Sequence, residues 1–140
     1  LKPDELEKAV ADRFARYETI KENETDAELY LTEDCDILLC AFGATARVVK
    51  SAVNEARAMG IKAGLFRPKT LWPFPVKELN EAAKSAKKLL SVEMSMGQMI
   101  DDIKLAINCS KPVEFYGRTG GIIPNPAEIL AEIKKVGGAE

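Results

Sequence analysis

Hydrophobic positions along this chain switch between two periods, and the switching lays out a sequence of strands and helices. Asp36-Ile37-Leu38-Leu39-Cys40-Ala41-Phe42 is an almost unbroken apolar run, which predicts a strand covered on both faces. Gly43-Ala44-Thr45 then reads as a tight turn. Val48, Val49, Ala52, Val53, Ala56 and Met59 follow at helical spacing, stopped by Gly60. Ala63 to Phe66 is a second short apolar run, so residues 36–66 read as a βαβ unit. The rhythm repeats. Leu79, Ala82, Ala83 and Ala86 mark a helix after Pro75, and Leu89-Leu90-Ser91-Val92-Glu93 a strand. Ser95-Met96-Gly97-Gln98 reads as a capping box for a helix that turns Met99, Ile100, Ile103 and Ile107 inward. Val113-Glu114-Phe115-Tyr116 is the last strand. Asn125-Pro126-Ala127-Glu128 caps a final helix carrying Ile129, Leu130 and Ile133.

Two elements precede this core. Asp4-Glu5-Leu6-Glu7 has the capping-box pattern, and Leu6, Val10, Phe14, Tyr17 and Ile20 form one apolar stripe behind it. Glu28-Leu29-Tyr30-Leu31-Thr32 alternates as an edge strand does. Only Glu33-Asp34-Cys35 joins it to the strong strand. That link is too short for a parallel crossover, so the first strand should run antiparallel at an edge. The expected fold is α/β, a sandwich with a mainly parallel sheet.

The most rigid stretch is the elbow Arg67-Pro68-Lys69-Thr70-Leu71-Trp72-Pro73-Phe74-Pro75. Pro68 keeps Arg67 out of the helical region, and Pro75 suits a first helical position. The elbow holds the single Trp of the chain. Two readings of Trp72 and Phe74 stand side by side. As large aromatics near a strand end they plug the core; as aromatics held by three prolines they form a docking face for another domain or subunit.

Composition narrows the chemistry. The chain has 140 residues, 46% hydrophobic and 30% charged, with a net charge of −2, ordinary for one globular domain. No basic field invites nucleic acid, and no apolar run approaches the ~20 residues of a membrane-spanning helix. Absence of His removes His-based triads and His-ligated zinc. Cys35, Cys40 and Cys109 lack the C-x-x-C spacing of a cluster or zinc site. An odd count without a framework fits a reducing, cytoplasmic setting. The chain opens on Leu1 rather than Met, and the expectation is a piece of a longer polypeptide.

In an open α/β sheet, ligands gather at the carboxyl ends of the strands. That rim carries Gly43, Thr45 and Arg47, then Arg67 and Lys69, Glu93 and Gln98, and Arg118, Thr119 and Gly120. Cations beside helix N-termini favour an anion. Each has a plainer reading too. Gly43 permits a turn, Gly120-Gly121 is a loop matching neither G-x-G-x-x-G nor a P-loop, and Ser95 caps a helix rather than attacking a substrate. Glu93 is either a base or ligand, or a charge met by a helix N-terminus. Met94, Met96 and Met99 read as soft packing, here or across an interface.

Residues 36–130 resemble the C-terminal region of the α subunit of 2-oxoacid:ferredoxin oxidoreductases, nearest the 2-oxoglutarate and 2-oxoisovalerate members. The resemblance rests on Ala41-Phe42-Gly43 with Arg47 and on Gly60-Ile61-Lys62-Ala63-Gly64-Leu65-Phe66-Arg67-Pro68. It continues through Leu71-Trp72-Pro73-Phe74-Pro75, Glu93-Met94-Ser95-Met96-Gly97-Gln98-Met99 and Phe115-Tyr116-Gly117-Arg118-Thr119-Gly120-Gly121. It implies a transketolase C-terminal-like domain: a three-layer α/β/α sandwich of five strands, order 1-3-2-4-5, with strand one antiparallel. A helix and linker would fill residues 1–27 and the sandwich residues 28–140. The parent enzymes that it implies convert a 2-oxoacid and CoA to acyl-CoA and CO2 and reduce ferredoxin. They use thiamine diphosphate, Mg and iron–sulfur clusters, none of which the resemblance assigns to this region. Its implied partners are the other domains of the α subunit and the β, γ and δ subunits. Ferredoxin and CoA would be reached through the whole enzyme. Beside this interface role stands an alternative: a module whose rim binds an anion or CoA.

Overall fold

The computed structural model describes residues 2–138. Ten elements follow one another: α1 (Pro3–Asn23), β1 (Ala27–Tyr30), β2 (Ile37–Cys40), α2 (Gly43–Ala58), β3 (Ala63–Pro68), α3 (Val76–Ala82), β4 (Lys88–Glu93), α4 (Met99–Ala106), β5 (Val113–Gly117) and α5 (Pro126–Gly137). The strands form one sheet in the order β1-β3-β2-β4-β5. β1 is antiparallel to β3, with Leu29 opposite Phe66, and the other pairs are parallel. The edge strand is antiparallel as the short link before β2 required.

β2 is central and buried along its whole length. Its side chains alternate between two cores, because successive residues of a strand face opposite ways. Ile37 and Leu39 join Val49, Leu65, Leu90, Ile129 and Ile133 under α2 and α5. Leu38 and Cys40 join Phe66, Leu79, Leu89, Met99 and Ile103 under α3 and α4. Burying one such side chain contributes about 1.5–3 kcal/mol, so the two clusters carry the fold.

Local signals were met unevenly. Asn125 caps α5 with the full reciprocal box, its side chain accepting from Glu128 N–H at 3.0 Å. The box expected at Asp4–Glu7 does not form: α1 begins two residues earlier, with Pro3 as its first residue and Lys2 as an N-cap whose side chain makes no capping bond. Pro at a first helical position already lacks one of the donors a cap would satisfy. Gly43 is not part of a separate turn. It opens α2 directly, at φ 57°, a left-handed conformation that favours glycine. Pro75 is the N-cap of α3 rather than its first residue.

The larger departure is α1. It has no buried residue. Leu6, Val10 and Phe14 of its stripe are exposed. Tyr17 meets Trp72 edge-on, ring centroids 5.3 Å apart. Among the described residues no helix is long and apolar enough to cross a membrane.

Candidate functional site

The helices after β2 and β4 lie on opposite faces of the sheet, so the crevice between these neighbouring strands is the switch point where an open sheet receives ligands. Gly43 and Thr45 stand on one side of it and Glu93 on the other. Thr45 is buried in the first turn of α2, Gly43 is exposed, and Arg47 points outward a half-turn on.

Glu93 ends β4 and is only 2% exposed. Its carboxylate is filled by its own chain. Oε2 accepts from Ser95 Oγ at 3.0 Å, Gln98 N–H at 2.9 Å and Met99 N–H at 3.0 Å; Oε1 accepts from Ser91 Oγ at 2.9 Å and Ile100 N–H at 3.0 Å. The cap expected of Ser95 is therefore supplied by Glu93. A carboxylate satisfies three of the four free N–H groups of α4 where a single hydroxyl satisfies one. Ser95 instead donates to Glu93 and accepts from Gly97 N–H. Burial pushes the Glu93 carboxyl up. The hydrogen bonds from Gln98, Ser91, Met99 and Ser95 pull it further down, leaving it below the usual carboxylate range. Five donors occupy the roughly four lone-pair sites of a carboxylate, so Glu93 has no acceptor to offer a ligand or a proton to take at neutral pH. Gly117, opposite Glu93 in β5, lets the 94–98 loop close: a Cβ there would lie 2.5 Å from the Ser95 carbonyl oxygen.

Three of the rim cations lie beside carboxylates, while Nε of Arg67 and Nε of Arg118 are buried with no hydrogen-bond partner among the described residues. Arg67 Nη1 lies 3.1 Å from Glu28 Oε2, and Lys50 Nζ takes the other oxygen at 2.6 Å. The hydrogen bond from Lys50 holds the Glu28 carboxyl below its usual range, with Arg67 adding to it. Lys69 pairs with Asp26 at 3.1 Å, and Arg118 lies 3.7 Å from Glu128, which also accepts from Tyr116 OH at 3.0 Å. Arg67 lies near the end of β3 and Arg118 just after β5, three strand spacings apart, roughly 14 Å, and they do not converge on one point. Thr119 and Gly120 are exposed on the loop after β5. Gln98 reaches Glu93 through its backbone, not its side chain. Sequence reasoning missed Glu28, Glu128 and Ser91. The signal for Ser91 was present, since residues two apart in a strand share a face; Glu28 and Glu128 come from distant elements and had none.

The elbow splits between its two readings. Phe74 is half-buried against the α3–α4 core, its ring 6.2 Å from Phe66. Trp72 is 57% exposed and does not plug the core. Pro73 and Pro75 are buried on either side of Phe74, so the loop is anchored there and its preceding residues, Leu71 and Trp72, face out.

The described residues offer no ligand set for a metal ion or a cysteine-held cluster. No group of three or more His, Cys, Asp or Glu side chains is placed to hold a metal ion. Cys35 and Cys40 are buried while Cys109 is exposed, and burial pushes the Cys40 thiol far up, away from the thiolate a metal takes.

The architecture is of the transketolase C-terminal class. A split-gene transketolase, solved as an inactive beta4 tetramer, shares it with a TM-score of 0.63 at 16% identity, over 79% of this chain and 40% of that one. The 2-oxoglutarate:ferredoxin oxidoreductase from Magnetococcus marinus, solved with 2-oxoglutarate, coenzyme A and succinyl-CoA bound, aligns with a TM-score of 0.79. It is 24% identical, over 96% of this chain and 23% of that one. The family described as pyruvate:ferredoxin oxidoreductase core domain II matches residues 35–129, and the chain belongs to it. Ketoisovalerate oxidoreductase subunit VorB of Methanothermobacter marburgensis is 45% identical over 135 residues, 96% of this chain and 38% of its own length. The 2-oxoglutarate synthase subunit KorA of the same organism is 37% identical over 130 residues, 93% of this chain and 34% of its own. The chain thus spans little more than a third of these relatives.

Proposed function

We propose that this chain is one domain of the α subunit of a 2-oxoacid:ferredoxin oxidoreductase of the 2-oxoglutarate or 2-oxoisovalerate type. Such an enzyme converts a 2-oxoacid and CoA to acyl-CoA and CO2 and passes the electrons to ferredoxin. In this reading residues 1–140 make a single domain, with 1–27 a helix and linker and 28–140 the sandwich. Its role is accessory: it completes the subunit interface and shapes the approach to an active site built elsewhere. Thiamine diphosphate, Mg and the iron–sulfur clusters belong to other parts of the assembly. Its partners are the other domains of the α subunit and the β, γ and δ subunits.

The observation that carries this reading is that most of the charged groups of the rim are already paired within the chain, although Nε of Arg67 and Nε of Arg118 are buried without a hydrogen-bond partner among the described residues. Glu93 is filled by five donors, and Arg67, Lys69 and Arg118 each have a carboxylate. A site built for a free anion would leave such cations available. Exposed left-handed glycines at 43 and 120 favour the second reading, an anion- or CoA-binding module. Calorimetric titration of the chain with coenzyme A separates the two. Silence at millimolar coenzyme A is expected. Micromolar binding abolished by Arg67→Ala and Arg118→Ala would replace the interface reading with the module. The enzyme reading is tested by 2-oxoacid- and CoA-dependent reduction of ferredoxin by the full assembly carrying this chain; no activity with either 2-oxoacid would refute it.

A further inference from the structure

Three adjoining depressions form one groove across the side of the molecule. It runs from Phe14 and Tyr17 on α1, over Trp72 and Phe74, to Leu105 on α4. The central depression holds about 620 Å³. Its apolar walls are open to solvent: Trp72 is 57% and Leu105 75% exposed. The stripe continues beyond the groove through Val10 and Leu6 of a helix with nothing buried. Helical propensity alone leaves such a segment marginal in water, and packing of its apolar face is what normally holds it. The groove also has an unmet polar demand. Glu78 lines it, and Oε2 of Glu78 is buried with no hydrogen-bond partner among the described residues, while Oε1 accepts from Thr25 at 3.2 Å. A buried acceptor left without a donor costs free energy that an incoming N–H recovers. Asp102 stands on the same wall. Of the two lysines there, Lys21 is already held by Glu18 at 2.8 Å.

We propose that this groove receives a segment of the same subunit lying outside the 140-residue chain. That segment sets an apolar side chain over Trp72 and Phe74 and an N–H donor, most simply from Arg or Lys, on Glu78 Oε2. The proposal rests on reading the chain as one domain of a longer subunit. Two observations favour this occupant. The chain spans 38% and 34% of the VorB and KorA relatives, and the similarity to VorB runs over 96% of the chain. So α1 lies inside the shared region, and most of such a subunit remains to cover it. A covalently joined occupant also acts at an effective concentration in the millimolar range, so a groove with one buried acceptor and a few apolar contacts is enough to hold it.

The test compares amide hydrogen exchange in the chain and in the full α subunit containing it. Amides of residues 6–17 and 102–106 are expected to exchange at least about tenfold more slowly in the full subunit. Trp72→Ala and Glu78→Ala, made in the full subunit, should each return much of that protection to the level of the chain. The amides of β2 should stay protected in both variants, which shows that the sandwich remains folded. Equal exchange in chain and subunit overturns the proposal. So does protection that appears only after a partner subunit is added. Self-association of the chain that Trp72→Ala abolishes would assign the groove to a second copy instead. Ferredoxin reduction by the assembled enzyme is measured in parallel. An active assembly with an unprotected groove sinks the docking proposal alone; a protected groove in an assembly inactive on 2-oxoacids sinks the enzyme reading alone.

Discussion

Glu93→Gln removes one charge and almost no volume, and the geometry fixes what it should do. The new amide has two placements. With its NH2 in place of Oε2 it would face the N–H groups of both Gln98 and Met99; in place of Oε1 it faces Ile100 N–H alone, while the Ser91 hydroxyl can rotate to accept. The second placement loses less. It still leaves one buried N–H without an acceptor, at about 1–3 kcal/mol. The remaining bonds lose their charge assistance, which roughly halves their strength, although the variant no longer buries a charge. The net expectation is a loss of about 2–4 kcal/mol at pH 7. Because the folded carboxyl is depressed, its contribution is fully present above the unfolded Glu value, about 4.3. It is lost as pH falls through the lower folded value. The difference between wild type and Glu93→Gln should therefore shrink as pH falls below the unfolded Glu value. Urea melts followed by far-UV circular dichroism at pH 7 and pH 3 read both quantities. A variant within about 0.5 kcal/mol of wild type at pH 7, or an equal gap at both pH values, would refute the reasoning.

Other expectations follow from single contacts. Gly117→Ala puts a Cβ against the Ser95 carbonyl oxygen and should cost about 1–3 kcal/mol in the same urea melt; a neutral result would mean the 94–98 loop is not pinned. In the isolated chain Phe74→Ala should cost more than Trp72→Ala, because Phe74 packs on Phe66 and the α3–α4 core while Trp72 meets only solvent and the Tyr17 edge on its exposed side; the reverse order would restore Trp72 to the core. Of the three thiols, exposed Cys109 should react with a disulfide reagent in the native protein, and buried Cys35 and Cys40 only on unfolding; rapid labelling of all three would contradict the burial.

Much of the sandwich was readable because its signals are local. The four-residue core of β2 is apolar on both faces, and only a doubly covered strand explains that. The short link after β1 excluded a parallel crossover without any knowledge of the partner strand, and β1 does pair antiparallel with β3. The cap of α4 was misread for the opposite reason. Ser95 and Gln98 have capping-box spacing, yet the donors of the helix go to Glu93, on the far side of a turn that only the closed loop creates. The α1 stripe was read correctly as a pattern, but a period records that a face is apolar and not that the cover lies in the same chain. The pairing of Arg67 with Glu28 needed the β1–β3 register, in which the two residues are opposite, and register is a tertiary fact.

Two of the stretches that carry the family resemblance answer to different causes. In Glu93–Met99 the domain itself explains the polar residues that matter: the carboxylate, Ser95 and the backbone of 97–100 form a closed set of hydrogen bonds, and removing a member would be felt by the domain alone. In Leu71–Pro75 the domain explains only part. Pro73, Phe74 and Pro75 are anchored in or against the core, whereas Leu71 and Trp72 are 49% and 57% exposed. Burying Trp72 would recover apolar area at about 25 cal/mol per Å², and the domain leaves that gain unused. The same holds for Phe14, 57% exposed on a helix that buries nothing. A stable fold does not require a tryptophan in solvent beside a half-empty groove. Under the docking proposal the exposed ring has a use, because a ring with two rotatable bonds on a proline-held loop loses little entropy when it is covered.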